Sequence, residues 1–172
     1  MTVQEFKDTV LPLKNKLFAF AFRYVRNREE AEDIVQDVML KVWNAQEKAD
    51  DIKNIEAWCM TLTRNRSLDV LKSKSSQTSE LQDYHLSPSQ EATPDVQLER
   101  KEMMSKIKKV IDMLPLKQKE VVELRDFQGM SYKEIADILG ADINVVKVNL
   151  HRARKTIQEK ITQWTTYGIE SA

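Results

Sequence analysis

Turn-forming residues are so scarce in this chain that most fold classes are closed to it: three glycines and four prolines punctuate 172 residues. Sandwiches and barrels built from short strands reverse direction about every 8–12 residues and need such residues at the reversals. An all-β fold is excluded on that ground, and a mostly helical one is expected. Hydrophobic residues make up 41%, enough for a packed core. At roughly 100–200 residues per domain the length suits one ordinary domain or two small ones. Lys plus Arg and Asp plus Glu each number 27, so the formal net charge is zero. That argues against a strongly basic architectural protein and against an acidic disordered chain. The longest apolar run, Leu17-Phe18-Ala19-Phe20-Ala21-Phe22, is far short of the roughly 18 residues a membrane span needs. The first residues lack the pattern of a secretory leader, so a cytoplasmic location without membrane insertion is expected.

The single cysteine, Cys59, excludes an internal disulfide framework and a zinc site of CxxC type. It lies in the run Ala57-Trp58-Cys59-Met60, where a small buried residue is the ordinary reading of a free cysteine.

The neutral total conceals an uneven distribution. Residues 1–75 carry 13 basic and 12 acidic side chains. Residues 76–99 carry five acidic ones and no basic one, and residues 100–172 carry 14 basic and 10 acidic. From Ser73 onward the chain also carries Ser75, Ser76, Ser79, Ser87 and Ser89, with Pro88 and Pro94 and no sustained apolar period. Such a segment buries too little surface to offset its ordering entropy. The expected organisation is all-α: a first domain over 1–74, a flexible acidic linker over 75–97, and a second domain over 98–172 with a helix-turn-helix.

Apolar spacing predicts three helices in the first domain. One runs from Val3 to about Val25, starting or kinking at Pro12. The others run from Glu29 to about Trp43 and from Ile55 to about Leu71. In the second domain a helix from Leu98 to about Leu114 stops at Pro115, and another from Lys117 to Phe127 is closed by Gly129. Ser131-Tyr132-Lys133-Glu134 has the form of a capping box. The short helix it opens ends at Gly140, which suits a left-handed cap. Asp142 then caps a last helix reaching about Ile161.

That last pair of helices is the strongest functional signal. Ala136 allows close approach, while Ile135, Leu139, Val146 and Leu150 supply apolar contacts. Between Asn144 and Lys160 five basic residues (Lys147, Arg152, Arg154, Lys155, Lys160) stand against one acidic residue, Glu159. A basic stripe on one helix of a helix-turn-helix is the footprint of major-groove binding. Periodicity alone is equally compatible with a helical hairpin bearing a solvated basic face. Capping, turn and stripe together favour DNA.

A second signal is Glu29-Glu30-Ala31-Glu32-Asp33-Ile34-Val35-Gln36-Asp37. Asp33 and Asp37 share a helix surface at i,i+4, where like charges disfavour the helix by a few tenths of a kcal/mol, about 0.2–0.5. Dipole stabilisation accounts for Glu29 and Glu30 at a helix start. A dimetal site would want Glu-x-x-His motifs, and neither His85 nor His151 is near. A docking face for a basic partner is the remaining reading. A third signal is the helix holding Trp58, Thr61, Arg64 and Asn65, with a net charge of +3 between residues 64 and 74. An aromatic ring, an amide and a guanidinium on one side suit melted nucleic acid. The plainer alternative is a core Trp58 with solvated arginines. Enzymatic motifs are missing: there is no nucleophile elbow, P-loop, dinucleotide glycine set or HExxH, and nothing in the sequence calls for a cofactor or metal.

These residues carry a resemblance. Glu30-Ala31-Glu32-Asp33-Ile34-Val35-Gln36-Asp37-Val38 through Trp43, then Ala57-Trp58 and Thr63-Arg64-Asn65-Arg66-Ser67-Leu68-Asp69, form one stretch. Leu114-Pro115-Leu116-Lys117-Gln118, Val121-Val122-Glu123-Leu124 and Gly129-Met130-Ser131-Tyr132-Lys133-Glu134-Ile135-Ala136 form the other. That second stretch continues through Leu139-Gly140 and Val146-Lys147 to Leu150-His151-Arg152-Ala153-Arg154. In this order, with a linker between, the chain resembles the extracytoplasmic-function sigma factors of bacterial RNA polymerase.

The resemblance implies a non-enzymatic specificity subunit that binds RNA polymerase core through its beta and beta-prime subunits. Asp33, Gln36 and Asp37 would sit on the surface that docks the polymerase clamp. Asn65 would lie near a flipped base of the −10 element, with Trp58, Thr61 and Arg64 around it. Lys147, Val148, His151, Arg152 and Lys155 would face the −35 element of promoter DNA. An anti-sigma factor, often membrane-linked in this family, is implied as a further partner, and the free chain is expected to be a monomer. The chain departs from the family at Val145, where Thr is usual, and at Val148 and Asn149, where Ser and Arg are frequent. An apolar Val148 in the major groove suits a thymine methyl.

Overall fold

Thr2 opens the first helix. Its hydroxyl accepts the Glu5 amide while the Glu5 carboxylate accepts the Thr2 amide, a reciprocal cap. The computed structural model describes residues 1–45, 51–77 and 95–170, and every regular element among the described residues is helical. Helix α1 covers Val3–Thr9 and α2 covers Lys14–Val25, separated by a 3-10 turn over Leu11–Leu13. Pro12 is the cause: it has no amide to continue an α-helical ladder, and it fits at the start of a new turn. The chain breaks there, where the sequence places a start or kink. Arg26, at φ 53°, ends α2 in the left-handed region, an unusual conformation for a residue with a Cβ. The Asn27 side chain accepts the Glu30 amide at 3.0 Å and starts α3, Arg28–Asn44. Asn54 does the same for the Ala57 amide, also at 3.0 Å, ahead of α4, Ile55–Gln77.

Helices α2, α3 and α4 pack mutually. Leu17, Phe20 and Ala21 from α2, Ile34, Val38 and Val42 from α3, and Cys59 and Met60 from α4 are buried between them. The Phe18, Phe20, Phe22 alternation resolves as helix: Phe20 is fully buried, while Phe18 and Phe22 stack on each other at 5.9 Å. Cys59 is buried, and burial pushes its thiol up to about 12, consistent with a structural cysteine.

Helix α5 covers Asp95–Met113 and α6 covers Leu116–Val122. The helix expected to run on to Phe127 instead passes into a π-helical turn over Glu123–Phe127, where the Gln128 amide donates to the Glu123 carbonyl at 3.0 Å. Gly129, at φ 71°, turns the chain toward α7, Tyr132–Leu139, and α8 covers Ile143–Glu170. Ile111, Val121, Leu124, Ile135, Ile138, Val146, Leu150 and Ala153 form the interior of this second unit.

Two expectations are adjusted by the helix ends. Residues 75–77 belong to α4 and 95–97 to α5, so both ends of the proposed linker are helical. Its remainder, 78–94, lies outside the described residues, and the flexibility expected there lies with it. The two units also meet: α4 packs on α7, and α2 on both α6 and the π turn. Their buried apolar side chains form one continuous cluster.

Candidate functional site

The α7–α8 pair is held by its caps. The Ser131 hydroxyl accepts the Glu134 amide at 3.2 Å, and the Glu134 carboxylate accepts the Ser131 amide at 2.8 Å. These bonds, the backbone one first, hold the Glu134 carboxyl below the usual carboxylate range. Gly140 adopts φ 58°, and the Ala141 amide reaches back to the Ala136 carbonyl at 3.0 Å. A Cβ at Gly140 would strike nothing, so conformation rather than space demands glycine. Asp142 accepts the Asn144 amide at 2.7 Å and starts α8. The angle between the helices is then set by Ile135, Val146 and Leu150, which are buried as the sequence predicts; Leu139 is only partly buried, and Ile138 is the further buried contact.

Lys147, Val148, His151, Arg152 and Lys155 all stand exposed on α8. Val145 and Val148 are 45% and 46% exposed, high for aliphatic side chains. Asn149 donates to the Val145 carbonyl at 3.0 Å and is drawn along the helix. Lys147 lies 5.6 Å from the centre of the Tyr132 ring, a contact that joins the two helices. Arg154 leaves the expected stripe: its guanidinium is paired with Asp126, with Nε 3.1 Å from Oδ2.

On α3, Asp33 and Gln36 are exposed, and Asp37 is paired with Arg66 at 2.7 Å. The crowding of acidic groups is relieved by neighbouring cations. Arg28 pairs with Glu32 at 3.0 Å and Lys74 with Glu30 at 2.6 Å. Among the described residues no group of three or more His, Cys, Asp and Glu side chains converges as metal ligands. Leu40, one helical turn beyond Gln36 and 58% exposed, extends this face with an apolar side chain. Sequence reasoning passed over it because its apolarity read as core.

The α4 set is divided by the structure. Asn65 is exposed. Trp58 is partly buried against the core, as its plainer reading had it. The Thr61 hydroxyl donates to the Ala57 carbonyl at 2.9 Å. Arg64 donates through Nε to Glu120 Oε1 at 2.8 Å, reaching into the second unit. The Tyr24 hydroxyl donates to that same oxygen at 2.6 Å. Burial foremost, and then the Glu120 charge, hold the Tyr24 hydroxyl protonated well above its ordinary range. Beside these lie Arg23 on Glu123 at 2.7 Å and Arg26 on Asp112 at 2.5 Å.

Comparison with known proteins matches both units. The family model described as Sigma-70 region 2 matches residues 10–77, and that described as Sigma-70, region 4 matches residues 104–157. The chain is similar to the ECF RNA polymerase sigma factor SigE of Mycolicibacterium smegmatis, with 24% identity over 160 residues, 92% of this chain and 62% of that relative. It is also similar to the RNA polymerase sigma factor SigZ of Bacillus subtilis, with 30% identity over 137 residues, 78% of this chain and 74% of the relative.

This chain belongs to the extracytoplasmic-function sigma factors.

The fold supports the membership. A solved structure of the sigma factor RpoE in complex with the anti-sigma factor NepR from Bartonella quintana shares 29% identity, with a TM-score of 0.75 over 93% of this sigma factor and 98% of that chain. Sigma factors are the transcription initiation factors with which RNA polymerase core finds promoters. The region 2 match contains α2, α3 and α4, and the region 4 match contains α6 and α7 with the exposed face of α8. No helix among the described residues of this sigma factor is long and apolar enough to cross a membrane.

Proposed function

We propose that this sigma factor acts in the cytoplasm as a non-enzymatic specificity subunit, with its roles divided between its two units. The first, 1–74, docks the beta-prime clamp of polymerase core through Asp33, Gln36 and Asp37 and captures an unstacked −10 base with Asn65, helped by Trp58, Thr61 and Arg64. Trapping that base offsets an unstacking cost of about a few kcal/mol. The second, 98–172, reads the −35 element with Lys147, Val148, His151, Arg152 and Lys155, and its other side meets the beta subunit. An anti-sigma factor regulates access to both. The observation that carries this reading is α8: a capped recognition helix that turns a basic, valine-bearing face outward from a neutral chain.

The test is run-off transcription with bacterial core polymerase and a promoter library. Transcription from a shared two-element motif is the expected result. DNA binding with no binding to core would replace it with a plain helix-turn-helix regulator. Within that assay Lys147→Ala and Arg152→Ala should each weaken promoter binding, by about 1–3 kcal/mol where the side chain contacts a base. A loss below measurement error in both would count against α8 as the recognition helix. Val148→Ser should relax the preference for thymine at one −35 position, and unchanged discrimination would remove Val148 from the reading face.

A further inference from the structure

The contact between the two units is sorted by sign. The first unit contributes Arg23, Arg26 and Arg64, and the second contributes Asp112, Glu120 and Glu123. Glu120 and Glu123 are 3% and 1% exposed, and the Arg23 side chain is 11% exposed. Such pairing is selective in a way apolar packing is not. Arginine accepts carboxylate and phosphate oxygens with the same planar fork of donors, so a surface that fits one fits the other. Arg64 is also one of the residues proposed above to face the −10 element.

Resting on that reading, we propose that this arrangement is self-inhibited: the carboxylates of the second unit occupy, as stand-ins for backbone phosphates, an arginine surface of the first that promoter DNA needs. The surface extends beyond Arg64 to Arg23 and Arg26, neither of which has a role in the −10 set. Asn54, which donates to Glu134 at 2.8 Å, joins the start of α4 to the start of α7. With α7 packed on α4, the helix-turn-helix lies against the helix that bears Asn65. A reader of two separated promoter elements must part these units.

The polar character of the contact suits parting. Buried ion pairs are often no more stabilising than apolar packing of the same volume, because each ion gives up hydration to form them. Opening restores that hydration. A cleft of about 160 Å³ beside the Arg64–Glu120 pair, lined also by Lys117, Leu139, Val145 and Asn149, gives water a way in. Contacts between domains within a chain commonly permit such relative motion.

The experiment uses the full-length chain with dyes on Asn44→Cys and Gln158→Cys, both exposed positions, while the buried Cys59 stays unlabelled. Glu120→Gln with Glu123→Gln keeps the shape and removes both charges. Energy transfer between the dyes is expected to fall, and affinity for a short, dye-labelled, random-sequence single-stranded oligonucleotide is expected to rise about tenfold without polymerase, as the binding-competent fraction grows. Asp112→Asn, at the half-exposed edge of the cluster, should move both readouts the same way by less. It decides the matter if circular dichroism shows the double variant to be unfolded. Unchanged energy transfer in folded variants would overturn the proposal, as would opening without tighter oligonucleotide binding. Run-off transcription separates the two readings: if neither the parent nor any variant initiates with core, the promoter roles fall, while the dye distances still report whether the carboxylates hold the units together.

Discussion

Replacing Asp33 and Gln36 together with alanine should lower affinity for polymerase core by about 2 kcal/mol or more, which is about 30-fold. Both side chains are exposed on α3 with no fold-stabilising partner shown between them and the core, so the helical signal and thermal midpoint should stay where they are. Asp37→Ala should cost less. Its carboxylate is already paired with Arg66 at 2.7 Å, and docking must exchange that partner for another. Glu32→Ala, one turn before Gln36 at the edge of this face and already paired with Arg28, should lower affinity by no more than about twofold, as surface ion pairs contribute little. Anisotropy titration of the labelled factor with core measures all three. A loss below about threefold in the Asp33, Gln36 double variant would remove this face from the docking surface.

Phe20→Ala should destabilise the chain by about 3–5 kcal/mol, seen as a lowered urea midpoint. Phe20 is fully buried, meets the Tyr24 ring edge-on with centroids 5.2 Å apart, and lies where α2 meets α3 and α4. Truncation leaves a cavity that rigid neighbouring helices cannot fill. The effect should reach the second unit as well, because the Tyr24 ring that Phe20 supports carries the hydroxyl bonded to Glu120. A destabilisation below about 1.5 kcal/mol would mean that the first unit relaxes around the site more freely than close packing allows.

Much of the fold was legible because its signals are local. The Ser131–Glu134 capping box, the left-handed Gly140 and the break at Pro12 each depend on a few consecutive residues, and each stands where the sequence places it. The exposed face of α8 was legible for the same reason: one helical period sorts Val146, Leu150 and Ala153 inward and Lys147, Val148, His151, Arg152 and Lys155 outward. The π turn over Glu123–Phe127 was not, since nothing in Glu-Leu-Arg-Asp-Phe marks it and packing decides it. Arg154 read as part of the DNA-facing stripe until Asp126, 28 positions away, claimed it. Glu120 and Glu123 carried a faint signal, two acids placed among Val121, Val122 and Leu124 on the buried side of a helix.

Sequence alone set the helical class, the helix caps at Ser131 and Gly140, the outward face of α8 and the family, because backbone capping and apolar period act within one or two turns. Tertiary structure decided where the charges went. Tyr24 and Glu120 are 96 positions apart, and Arg23 and Glu123 are 100. No local pattern links them. An ion's partner is chosen by which surfaces meet, and desolvation makes that choice stringent: a carboxylate leaves water only where a donor is waiting for it.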